Sequence, residues 1–158
     1  MNVKRIYLGL CGTVFTVAMG LWVSTVDLTY TINLTHSLPG TLYVVHKGES
    51  FGKGDLVAFR WRGGATYPRG TTFIKVVTGM PGDVVKRDGD RFWVGDQYIG
   101  VAKPKSKAGV PLTPATPGVI AQGEYFMATP SPDSLDSRYA LTGNIKQYEV
   151  IGKAYAIF

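Results

Sequence analysis

Ile6 to Val26 form an uncharged run of 21 residues, IYLGLCGTVFTVAMGLWVSTV. As a helix it is roughly 32 Å long, enough to cross a bilayer core of about 30 Å. Lys4 and Arg5 precede the run and Asp27 follows it. The positive-inside rule therefore predicts residues 1–5 in the cytoplasm, a single-pass anchor over residues 6–26 and an exported domain over residues 27–158. In a bacterium that places the anchor in the inner membrane and the domain in the periplasm. Tyr7 and Trp22 stand near the two ends, where aromatic rings anchor at the interface. Two other readings fit less well. Ala18-Met19-Gly20 has the small-x-small pattern of a cleaved leader, but six apolar-run residues follow it. Cys11 follows a Leu, which suits a lipidation site poorly, and reads more simply as a small apolar helix residue.

The remaining residues suffice for one globular domain, since the chain has 158 residues. One Cys excludes an internal disulfide, and two His argue against a zinc site of ordinary ligand count. The net charge of +6 comes from scattered residues, without the dense run or motif of a nucleic-acid binder. A mildly basic exported domain is instead drawn toward anionic lipid. No phosphate-binding glycine loop or dinucleotide fingerprint is present, so no cofactor or metal is expected.

From residue 28 onward the pattern is β, with short Val-, Phe-, Tyr- and Ile-rich runs separated by Gly and Asp turns. Strands are predicted at Leu42–His46, Leu56–Trp61, Thr72–Val77, Val84–Arg87, Arg91–Val94, Gln97–Val101, Glu124–Ala128 and Val150–Phe158. Asp88-Gly89 reads as a tight hairpin turn and Gly95-Asp96 as the next. A short helical turn is expected near Asn144–Tyr148. The fold class is thus mostly β: one N-terminal transmembrane helix followed by a compact, largely antiparallel domain. Residues 103–118, KPKSKAGVPLTPATPG, have no periodicity and read as a Pro-rich surface excursion.

Chemistry concentrates in three segments. Ser37 stands before Leu38-Pro39-Gly40, on a tight turn that can expose its hydroxyl, 11 residues after the apolar run. Lys75 is the one charge in the strand Thr72–Val77, and alternation puts it on a face with Phe73 and Val77. There it either snorkels to water or is desolvated, and a desolvated amine becomes a base near neutral pH. Ser134, Asp136, Ser137 and Arg138 crowd into one short segment, with Asp133 beside them. Such a loop can hold itself together, or its groups can orient a neutral lysine. A histidine triad is disfavoured: His36 adjoins Ser37 and points the other way in extended chain, and no G-x-S-x-G elbow exists.

An anchor, then S-x-P, a strand Lys followed by G-x-P-G-D, and S-x-D-S-R together resemble the type I signal peptidase family across essentially the whole chain. The segment Ser37-Leu38-Pro39-Gly40-Thr41-Leu42-Tyr43 is most similar to the TraF-type peptidases of conjugative transfer systems. The resemblance implies a membrane-anchored serine endopeptidase with a Ser/Lys dyad on a signal-peptidase-type β fold. Ser37 is then the nucleophile and Lys75 the general base. The Thr35 hydroxyl and the Ser37 backbone N–H are the expected oxyanion donors. Ser134 is expected to hydrogen-bond the lysine, Asp136 and Arg138 to brace the loop, and Asp136 to assist the dyad.

Two departures favour a dedicated substrate over housekeeping secretion. Leu38 and Pro39-Gly40 stand where the secretory enzymes usually show S-M-x-P-T, and Thr129-Pro130-Ser131-Pro132 where they show G-D-N-R. The expected partners are the bilayer, other transfer-apparatus proteins and a membrane-inserted precursor. That precursor is propilin, with cyclisation of the product an open outcome, or else a preprotein bearing a signal peptide. Besides general signal-peptide removal, a non-catalytic membrane-anchored scaffold of a secretion assembly is the competing reading.

Overall fold

A computed structural model describes residues 3–33, 37–64 and 67–158, leaving out the side chains of residues 3–6, 8 and 23–26. Helix α1 spans Val3–Asp27, 25 residues or about 37 Å. Among the described residues, no helix is long and apolar enough to cross a membrane, so the transmembrane anchor expected over residues 6–26 is not confirmed. The described apolar side chains of α1, including Leu10, Val14, Phe15, Val17, Met19 and Leu21, are all exposed. The helix runs directly into strand β1, Leu28–Ile32.

Ten further strands follow: β2 Leu42–Lys47, β3 Leu56–Arg60, β4 Thr72–Gly79, β5 Val84–Asp88, β6 Arg91–Val94, β7 Gln97–Val101, β8 Gly118–Val119, β9 Glu124–Ala128, β10 Ile145–Lys146 and β11 Val150–Ala156. They form a seven-stranded sheet, β1-β2-β11-β3-β4-β9-β10, and a four-stranded sheet, β7-β6-β5-β8. Every pairing is antiparallel. The mostly β, antiparallel expectation therefore holds.

The predicted strands recur with ends within a residue or two, because period-two patterning and turn glycines mark them well. Three differences have local causes. The first hairpin turns at Gly89-Asp90, closed by the Asp88–Arg91 pair, one residue later than expected. The stretch near Asn144–Tyr148, expected as a short helical turn, holds β10 and a 3-10 turn at Gln147–Glu149, where Arg62 grips Glu149 at 2.5 and 2.7 Å. And the Pro-rich segment is a strap as well as a surface turn. Leu112 and Ala115 join the core around Phe92 and Phe126, while Ala115 N–H donates to the Arg138 carbonyl at 2.8 Å and Ala140 N–H to that of Thr113.

Three apolar clusters fill the interior. One lies under the small sheet, around Val85, Phe92, Ile120 and Phe126. A second gathers Val57, Phe59, Trp61, Phe73, Val77 and Met127 on one face of the large sheet. The third gathers Leu38, Tyr43, Val45, Ala58, Ile74 and Ala154. β4 contributes to the second and third, which is why nearly all of its central positions are buried.

Candidate active site

The turn after β1 is fixed from both sides. Asn33 donates through Nδ2 to the Leu38 carbonyl at 3.0 Å, the Tyr43 hydroxyl to the Pro39 carbonyl, and Thr41 N–H to the Phe158 carbonyl at 2.6 Å. Gly40 takes φ +89°, a conformation that favours glycine, where the turn passes the C-terminal segment. Leu38 is buried in the cluster that holds Ile74. Burial of Leu38 pins the turn, so that Ser37 beside it meets Lys75, the next residue along β4.

Lys75 Nζ lies 3.3 Å from Ser37 Oγ and donates a hydrogen bond to it. The lysine is 5% exposed, and its Nζ sits 5.5 Å above the Phe73 ring. Phe73 in turn is stacked on Trp61 and met edge-on by Tyr67. Removed from water by this aromatic wall, the ammonium is disfavoured, and its pKa falls from 10.5 to about 8. Asp136 pulls that value up and Arg138 pushes it down, so the pair's fields oppose each other and desolvation dominates.

Asp136 and Arg138 are both buried and locked together. Arg138 donates from Nε and Nη2 to the two carboxylate oxygens at 2.9 and 2.8 Å, and its own N–H donates to Oδ1 at 3.2 Å. Thr129 N–H reaches Oδ2 at 3.3 Å. The outer guanidinium donates to the carbonyls of Val101 and Ser131. These bonds tie the loop to the end of β7 and to the residue after β9.

Ser134 departs from expectation. Its buried hydroxyl has no hydrogen-bond partner among the described residues, so the bond to Lys75 is not made in this structure. The turn that carries it is closed by its own N–H donating to the Ser131 carbonyl at 3.2 Å. Thr35 lies outside the described residues. Thr129, which is not among the expected site residues, is a second buried hydroxyl without a partner among the described residues. Its signal lies in strand register, which spacing along the chain does not carry.

The arrangement is a hydroxyl in contact with a desolvated amine on an antiparallel β scaffold, backed by a buried carboxylate–guanidinium pair. It has the parts for proton transfer between oxygen and nitrogen. The chain belongs to the signal peptidase, peptidase S26 family, whose model matches residues 2–158. Signal peptidase I U of Bacillus subtilis (strain 168) is 29% identical over 115 residues, which is 68% of this chain, and the chain spans 58% of the length of that relative. Among solved structures, a signal peptidase I from Enterococcus faecalis V583 covers 66% of this chain and 97% of its own, at 22% identity and a TM-score of 0.42.

Proposed function

We propose that this protein is a membrane-anchored serine endopeptidase that cleaves membrane-inserted precursors, with Ser37 as nucleophile and Lys75 as general base. The observation that carries the reading is the 3.3 Å contact between Ser37 Oγ and the buried Lys75 amine. With the amine neutral the bond can reverse, the hydroxyl donating to Nζ. Lys75 then takes the proton as Oγ bonds to the scissile carbonyl carbon. The Ser37 N–H and the Thr35 hydroxyl are assigned to the oxyanion, a role worth roughly 3–4 kcal/mol per donor in comparable sites. As the C–N bond breaks, the Lys75 ammonium returns its proton to the leaving amine. Water, deprotonated by the same lysine, releases the acyl group from Ser37.

The membrane reading is supported by the 21-residue uncharged run and by the domain's own surface. Tyr30 and Ile32 on β1 are 62% and 60% exposed. Register puts them in rows with Val44 and Leu42 of β2, and Tyr155 of β11 shares the Val44 row. An apolar sheet face therefore adjoins the strand into which α1 leads, which suits a domain lying against lipid.

For the substrate we infer a dedicated precursor such as propilin in a conjugative transfer system, on the strength of Leu38-Pro39-Gly40 and of Thr129-Pro130-Ser131-Pro132. If the substrate's own amino terminus replaces water, the product is cyclic. General removal of signal peptides is the second reading, favoured by the name of the Bacillus relative. The intact mass of the candidate precursor decides the first matter. Ser37→Ala and Lys75→Ala should each cut processing at least about a thousandfold in folded protein. Normal maturation in either variant would overturn the dyad and leave a scaffold role. Cleavage of several unrelated preproteins at similar rates would move the substrate assignment to general signal-peptide removal.

A further inference from the structure

Among the described residues Lys75 Nζ makes one hydrogen bond, to Ser37, yet an ammonium carries three N–H donors. Among the described residues three buried hydroxyls lack a partner, and two of them, those of Thr129 and Ser134, lie on the chain leading into the Asp136–Arg138 loop. Thr129 is placed by register. β4 and β9 pair Val77 with Met127 and Val76 with Ala128. One step further sets Thr129 across from Lys75, and cross-strand partners project from the same face. Met127 and Val77 confirm that face, since both enter the cluster around Phe73. The Thr129 backbone is fixed as well, through its N–H to Asp136 Oδ2.

We propose that Thr129 Oγ1 is a positioning acceptor for Lys75, taking up an N–H of the amine when it receives the Ser37 proton and holding Nζ in line with Oγ. This rests on the Ser37/Lys75 reading of the site. Burying a hydroxyl without a partner is unfavourable, and an ammonium formed in an apolar pocket needs acceptors. The same geometry assigns a job to the Asp136–Arg138 pair: it sets the position of Thr129 through the backbone. An acceptor favours the ammonium over the neutral amine, because bonds to charged groups are the stronger ones. Its removal should therefore lower the pKa of the lysine as well as loosen it.

The test uses the full chain in detergent, a precursor peptide and the variants Thr129→Val, which keeps shape and removes the hydroxyl, and Thr129→Ser, which keeps it. With Thr129→Val, kcat should fall about tenfold with KM within about twofold. The acid limb of kcat/KM should move down by roughly half a pH unit. Thr129→Ser should restore most of both. An unchanged acid limb and kcat in Thr129→Val would overturn the proposal, as would equal defects in the two variants. A loss of folding in Thr129→Val, read by urea denaturation, transfers the test to Thr129→Ala and its rescue by Ser. Lys75→Ala run alongside separates the two failures: full activity there sinks the dyad itself, whatever Thr129 does.

Discussion

At the scale of single residues the site depends on taking one amine out of water. A fall from 10.5 to about 8 corresponds to about 3 kcal/mol of lost preference for the ammonium. If Lys75 is the base, only its neutral form accepts the Ser37 proton. The logarithm of kcat/KM should then climb by one unit per pH unit below about pH 8 and level off above it. A profile already flat at pH 6 would show that some other group titrates. The same shift appears in stability with the opposite benefit. Between about pH 8 and 10.5 the unfolded chain holds a proton on Lys75 that the folded chain has released. Stability therefore rises with pH across that window, and below it the buried lysine is a net cost. Lys75→Met should be more stable than the parent at pH 7 by up to about 3 kcal/mol, the gap closing by about pH 10.5, in urea titrations at each pH. Ser37 and Lys75 stood out in the sequence through their combination, S-x-P followed by a strand Lys before G-x-P-G-D, since a hydroxyl before Pro39-Gly40 or a lone charge in an apolar strand is ordinary by itself. Thr129 did not, because its relation to Lys75 exists only once β9 lies beside β4.

At the scale of elements, the Asp136–Arg138 clasp joins parts of the chain that spacing alone does not connect. Arg138 reaches back to the Val101 carbonyl at the end of β7, and it packs so closely on Gly100 that an added Cβ would lie 2.7 Å from Nη1. Gly100 also takes φ +140°, which disfavours any side chain. Gly100→Ala should thus cost about 1–3 kcal/mol, read as a lowered urea midpoint. Arg138→Met alone strands a buried carboxylate and should cost about 3–5 kcal/mol. The double variant Asp136→Leu/Arg138→Met should recover most of that loss, since a well-packed apolar pair replaces a buried ion pair at little cost. A double variant as unstable as Arg138→Met would mean that the clasp's value lies in its backbone bonds to Thr129, Val101 and Ser131. Eight of the eleven described strands could be read from alternation, but β1, the two-residue β8 and β10, and the strap at 110–115 could not. The strap has no periodicity, and its order comes from edge-on pairing with the Arg138–Ala140 segment.

At the scale of the whole molecule, the question is whether the N-terminal helix belongs to the site or only delivers it. α1 joins the domain through β1, and the turn that bears Ser37 is held by Asn33, Tyr43 and the C-terminal segment. None of those groups lies in residues 1–26. The architecture therefore predicts that a chain lacking residues 1–26 keeps the urea midpoint of the full protein and its rate on a short soluble peptide. On a precursor embedded in vesicles the proposed membrane attachment predicts a rate slower by roughly 10²–10⁴-fold, because an anchor would hold enzyme and substrate on one surface and raise their effective concentration. The contrast between the two substrates is what matters. Equal loss on both would mean that α1 shapes the site through β1. Equal retention on both would mean that the precursor comes to the domain without help from the membrane, and the apolar face around Tyr30 and Ile32 would then need another occupant.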